Sequence, residues 1–237
     1  YIVESVGKAL DGAKISYVKW DMNRHMSDAY SPALSNQGEF AHRYIIGLYE
    51  VLDRVFTPRR HILFESCSSG GNRFDLGMLC YSPQIWASDD TDPIERLDIQ
   101  SGLSYLYPQS TVGAHVSAAP HQQTLRDTPL STRFNVAAFG VLGYELELKY
   151  MTHAELKELR GQIEFYKAHR RTLQFGRFYR FDERKDNKVH WQVSSRDGKE
   201  HIVGHFQKLC TDSEGPDALC VHDLDSKAKY HLSCKRQ

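Results

Sequence analysis

Asp21 and Asp89 are the residues with which this sequence could do chemistry. The stretch Tyr17-Val18-Lys19-Trp20-Asp21-Met22-Asn23-Arg24 begins in strand formers and ends in charge. A strand alternates its side chains, so Lys19 and Asp21 share one face while Val18 and Trp20 take the other. A second charged terminus, Ser88-Asp89-Asp90-Thr91-Asp92-Pro93, closes a later strand. Adjacent aspartates at a strand end point to opposite faces, so one of Asp89 and Asp90 enters a pocket. Two carboxylates at strand ends suit glycoside hydrolysis: one acid protonates the leaving oxygen, and the other carboxylate attacks the anomeric carbon or activates water. The same disposition serves aldolases and amidohydrolases, and a Lys-Asp pair at a strand end is often only structural.

The elements that must position these groups read as alternating strands and helices. After a short amphipathic helix stopped by Gly12, strands are expected near residues 15–21, 61–66, 84–89, 111–116 and 142–146. Helices fall between or after them. Asn36 and Glu39 look like a capping box before the stripe Phe40, Tyr44, Leu48, Val51 and Val55, and Pro58 ends that helix. Asp92 reads as an N-cap with Pro93 at the first helical position and Glu95 completing the box, and Ile99, Leu103 and Leu106 as the buried stripe. A helix near 130–139 follows, and Thr152 with Glu155 caps a long last helix packed through Leu156, Leu159, Ile163 and Tyr166. This alternation implies a parallel sheet covered by helices. Beyond Phe178 the texture becomes short strands with polar turns, Asp197-Gly198 marking a hairpin and 230–234 a last strand.

Two loops carry further signals. Residues 22–38 are too long and polar for a simple connection, and such loops are usually functional. In Cys67-Ser68-Ser69-Gly70-Gly71-Asn72-Arg73, adjacent glycines let backbone amides approach a ligand, although such a pair is as often just a turn. His115 and His121 could line a pocket rim or be satisfied strand-end histidines. Thirty basic and thirty acidic side chains cancel, which leaves no overall field to attract nucleic acid or an anionic membrane. No apolar run is long enough to span a bilayer. The five cysteines, Cys67, Cys80, Cys210, Cys220 and Cys234, have no C-x-x-C spacing, so neither a zinc site nor a disulfide framework is indicated, and the cytoplasm is the expected location.

Taken in order, Lys19-Trp20-Asp21-Met22-Asn23-Arg24, Glu65-Ser66-Cys67-Ser68-Ser69-Gly70-Gly71-Asn72-Arg73-Phe74-Asp75 and Trp86-Ala87-Ser88-Asp89-Asp90-Thr91-Asp92 resemble the retaining α-galactosidases of glycoside hydrolase family 36. The likeness runs through Gly113-Ala114-His115-Val116-Ser117 and the last helix, over about residues 1–180. It implies an α/β fold in which residues 1–177 are about strands four to eight of a (β/α)8 barrel, a TIM barrel, and residues 178–237 a small antiparallel, sandwich-like domain. It implies Asp21 as nucleophile and Asp89 as acid/base, with Lys19, Cys67 and the Gly70 backbone contacting galactosyl hydroxyls. The Lys19 charge would then hold Asp21 ionised. No metal or organic cofactor is required; the partner is a neutral oligosaccharide, and the full-length protein is expected to be a homo-oligomer. The alternatives are a galactosyl transferase of the raffinose synthase type and a non-catalytic carbohydrate-binding remnant. Because the chain opens at Tyr1 inside a helical pattern, a piece of a longer protein is expected, with an acidic pair, an Arg and a Trp of the family's site lying on strands not present here.

Overall fold

A computed structural model describes residues 1–181, 187–209 and 218–234. Cys210 and parts of the expected C-terminal domain lie outside the described residues. The chain divides into two compact units, Tyr1–Asp89 and Asp90–Gln237.

The first unit holds helices α1 (Ile2–Asp11) and α2 (Phe40–Phe56) and strands β1 (Tyr17–Trp20), β2 (Leu63–Ser66) and β3 (Gln84–Trp86). The strands pair in parallel in the order β1-β2-β3, with Lys19 opposite Glu65 and Trp20 opposite Ser66. Alternation along β1 works as the sequence dictates. Val18 and Trp20 pack against the apolar cluster of Leu10, Leu52, Val55, Phe56, Ile62, Phe64, Met78 and Ile85, while Tyr17 and Lys19 point the other way. Trp20 meets Phe56 and Phe64 edge-on at 5.9 and 6.2 Å, a favoured geometry for rings whose edges are positive and faces negative.

Two local expectations change here. Asn36 does cap, its Oδ1 accepting from the Gly38 amide at 3.0 Å, but Glu39 turns to Arg43 instead of closing a box. No α-helix joins β2 to β3; the connection carries only a short 3-10 turn at Met78–Cys80, because its Gly70, Gly71, Gly77 and Pro83 leave no helical apolar stripe.

The second unit begins with α3 (Pro93–Leu103), β4 (Val112–Ser117), α4 (Leu130–Ala137), β5 (Val141–Glu145) and α5 (His153–Phe175). β4 and β5 pair in parallel. An antiparallel sheet follows, β6 (Arg177–Phe181), β7 (Lys188–Ser194) and β8 (His201–Gln207), in that order. The capping box on α5 is complete, and Gly198 takes φ +68° in the expected β7–β8 hairpin. One apolar cluster, from Leu97 through Phe134 and Phe139 to Trp191 and Phe206, joins these helices to the antiparallel sheet.

The buried face of α3 is not the expected stripe. Arg96, Leu97 and Gln100 are buried and Leu106, beyond the helix end, is exposed. Arg96 donates to the carbonyls of Asp90 and Gly113, and Gln100 to that of Val136, so polar side chains occupy the inner face by serving backbone acceptors. Residues 230–234 form no strand: Tyr230 packs its ring edge-on against His201, and its hydroxyl accepts from the Asp225 amide. Among the described residues the antiparallel domain is therefore one three-stranded sheet.

Candidate active site

The parallel register of β1 and β2 builds a polar ladder on the face turned away from the apolar cluster. Tyr17, Lys19 and Asp21 follow one another at every second position, and Glu65 and Cys67 do so on the neighbouring strand. Contacts run across the rungs. The Tyr17 hydroxyl donates to Glu65, Lys19 Nζ lies 3.4 Å from Glu65 Oε1, and the Cys67 thiol hydrogen-bonds the Asp21 carboxylate.

Asp21 is exposed just beyond the end of β1. Desolvation pushes its carboxyl up, but donors overcome that: Asn23 Nδ2 at 2.9 Å from Oδ2, the Cys67 thiol, and the Ser69 and Met22 amides together hold it below its ordinary value of 3.8. The expected source was Lys19, and this is corrected. Lys19 pairs with Glu65, and every donor lowering Asp21 is neutral. Asn23 is the residue that sequence reasoning missed. Its Nδ2 serves Asp21 while its Oδ1 accepts from the Ser69 amide at 2.8 Å, tying the loop after β1 to the loop after β2. Its place two residues past Asp21 was the available signal.

Cys67 is buried beside Asp21, and its amide donates to the Trp20 carbonyl at 2.9 Å. Burial, more than the adjacent carboxylate, pushes the thiol up to about 11, so it stays protonated and can donate. Gly70 takes φ +81°, and a Cβ there would lie 3.1 Å from Ser88 Cα and 3.2 Å from the Asp89 amide nitrogen. A Cβ at Gly71 would lie 2.4 Å from the Ala87 carbonyl oxygen. The glycine pair is thus required for close passage against the segment leading to Asp89, a use the sequence did not reveal.

Asp89 is exposed at the end of the first unit, and Trp86 Nε1 donates to its Oδ1 at 2.8 Å. The same indole carries Lys19 Nζ 4.5 Å from its ring centroid, within range of a cation–π attraction. Lys19, Trp86 and Asp89 are therefore linked through one side chain. Lys19, Asp21, Cys67, Gly70 and Asp89 all lie where the sequence put them, at or after the C-terminal ends of β1, β2 and β3.

In the second unit, Asp90 Oδ1 accepts from the Asp92 amide at 3.0 Å. Asp92 caps α3 by accepting from the Ile94 amide at 2.8 Å, but Glu95 reaches Arg126 instead of completing a box. His121 is buried against Thr91 at 3.0 Å, a satisfied histidine, and His115 Nδ1 lies 3.3 Å from Glu145. Among the described residues no group of three or more His, Cys, Asp or Glu side chains is placed to hold a metal ion, and no helix is long and apolar enough to cross a membrane.

Comparison with known proteins gives these residues a family. The family model for melibiase matches residues 1–176. The α-galactosidase AgaA of Geobacillus stearothermophilus is 46% identical over 235 residues, covering 98% of this chain and 32% of that enzyme. Alpha-galactosidase 1 of Pediococcus pentosaceus is 51% identical over 208 residues, covering 86% of this chain and 28% of its own. The crystal structure of AgaA, a GH36 α-galactosidase, superposes with a TM-score of 0.92 at 47% identity, over 95% of this chain and 32% of the crystallised one. Variants of the same enzyme have been crystallised with raffinose and with stachyose. The chain spans about a third of the length of the curated relatives it matches. On this evidence it belongs to the melibiase family, with the GH36 α-galactosidases as its relatives.

Proposed function

We propose that this chain supplies the catalytic strand ends of a retaining α-galactosidase acting on terminal α-linked galactose in oligosaccharides such as raffinose and melibiose. The observation that carries the reading is Asp21: an exposed carboxylate at a parallel strand end, kept ionised by neutral donors that leave its charge uncancelled. In the first step an Asp21 oxygen attacks the anomeric carbon as the glycosidic bond breaks, and Asp89 gives its proton to the departing oxygen. In the second, Asp89 takes a proton from water, whose oxygen displaces Asp21. Two inversions return the α-anomer. Lys19, Cys67 and the Gly70 backbone contact galactosyl hydroxyls. The complexes of the Geobacillus relative with raffinose and stachyose support the substrate class.

The same reading makes residues 1–177 about strands four to eight of a (β/α)8 barrel and residues 178–237 the start of an antiparallel domain, in a longer cytoplasmic homo-oligomer. Activity is accordingly expected of a polypeptide of the relatives' length. The test joins this chain to the upstream portion of the Geobacillus enzyme and follows an aryl α-galactoside. Release of α-galactose as the first anomer, a loss of at least about 10³-fold on Asp21→Gly, and rescue by azide as the β-galactosyl azide are expected. An Asp21→Gly variant as fast as its parent would overturn the assignment, and passage of galactose to a sugar acceptor in preference to water would make the enzyme a transferase.

A further inference from the structure

Glu65 is a carboxylate where a strand would ordinarily bury an apolar side chain: it lies on β2 and is 3% exposed. Burying a carboxylate costs several kcal/mol unless charge and hydrogen bonds compensate. Two groups do so. The Tyr17 hydroxyl donates to Oε2, and Oε1, which receives no hydrogen bond from the described residues, faces the Lys19 ammonium at 3.4 Å.

The register makes this choice of partner consequential. Lys19 stands directly opposite Glu65, and Asp21 is the next residue along the same face of β1. The cation thus has one carboxylate directly opposite it and another two residues along its own strand. It takes Glu65, and its Nζ rests over Trp86, whose N–H holds Asp89. Asp21 is left to Asn23, the Cys67 thiol and two backbone amides. The titratable groups on this face are Tyr17, Lys19 and Asp21 on β1 and its extension, and Glu65 and Cys67 on β2 and its extension, with Asp89 past the end of β3.

We propose that Glu65 is a positioning residue that claims the Lys19 ammonium, holding it over Trp86 as a hydroxyl donor to the sugar and away from Asp21. The nucleophile then keeps an unpaired charge with which to attack. This rests on the catalytic reading of Asp21 given above. A purely structural Glu65 would make a different prediction, since its loss would then cost stability and leave Lys19 and Asp21 where they are.

The first test needs no turnover and uses this chain. In the parent, the Lys19 ε-methylene protons should be shifted upfield by the Trp86 ring. Glu65→Gln preserves volume and an acceptor for Tyr17, and is expected to remove most of that shift and to move the Asp21 carboxyl titration, followed by 13C NMR, to lower pH. Unchanged Lys19 and Asp21 signals in a folded Glu65→Gln chain would overturn the proposal. Should Glu65→Gln fail to fold, Lys19→Met decides: with the cation already committed to Glu65, the Asp21 titration should hardly move, and a rise of about one unit or more would mean that Lys19 acts on Asp21 directly.

The second test is kinetic, in the joined polypeptide. Glu65→Gln should raise KM roughly tenfold with a smaller change in kcat, Lys19→Met should do the same, and the double variant should be no worse than Lys19→Met. Effects that multiply would show that Glu65 does not act through Lys19. If the joined parent fails to hydrolyse the galactoside, the catalytic reading falls while the NMR result on Glu65 stands by itself.

Discussion

Asp21 and Asp92 both follow parallel strands, and the chain treats them oppositely. Asp92 has no exposed side-chain surface, caps α3, accepts from Thr124, and lies 2.6 Å from Arg126. Burial presses its carboxyl up, and Thr124, Arg126 and the Ile94 amide outweigh burial and hold it below 3.8. Asp21 is also held low, but it is exposed and every donor to it is uncharged. Both remain ionised at neutral pH. Only Asp92 has its charge cancelled. Asp92, which caps a helix, is buried against a cation, whereas Asp21 keeps its charge and its access, and the nearby Lys19 ammonium is paired with Glu65.

The comparison can be broken at either end. Asp21→Asn is expected to lower turnover in the joined polypeptide by about 10³-fold or more while leaving the stability of this chain within about 0.5 kcal/mol, as for an exposed substitution. Asp92→Ala should do the reverse. It removes the helix cap and the buried partner of Arg126, and about 3 kcal/mol should be lost in urea unfolding. Equal stability losses in the two variants would erase the distinction.

A finer cut uses pH. Because the folded-state pKa of Asp92 lies below its unfolded value, its contribution is fully present above roughly pH 4 and disappears as pH falls through the folded value. Asp92→Asn should flatten that acid loss of stability, and an unaltered acid-unfolding curve would place the titrating group elsewhere. Asn23→Ala should act on the other carboxylate. With one donor gone the Asp21 pKa rises, and the acid limb of kcat/KM should move up by about half a unit to one unit. The smallest effect is a control: Thr152→Ala opens the α5 capping box and should cost about 1 kcal/mol with no change in either aspartate.

Much of this was legible in the sequence because strand alternation is strict. Once Val18 and Trp20 were assigned to the core, Lys19 and Asp21 had to share the other face, and the ladder with Glu65 follows from register. Register itself was not legible. It depends on which residues of two distant strands come opposite each other, so β1 alone suggests a Lys19–Asp21 pair, whereas Lys19 pairs with Glu65 across the strands. The α3 stripe failed for a related reason. Arg96 and Gln100 are polar by type yet buried, since the carbonyls of Asp90, Gly113 and Val136 need donors that only the folded chain brings near. The adjacent glycines Gly70 and Gly71 mark a place of close approach in the sequence, but the approaching group is the backbone of Ala87–Asp89.

The most direct measurement is to trap the covalent intermediate. An activated, fluorine-substituted α-galactoside that forms the galactosyl-enzyme quickly and releases it slowly would be added to the joined polypeptide, and the digest would be mapped by mass spectrometry. One galactosyl adduct per chain, on the peptide containing Asp21 and at that residue, is the predicted result. Inactivation with the label on Asp89 or elsewhere, or undiminished turnover with no label at all, would contradict the assignment of Asp21 as the nucleophile.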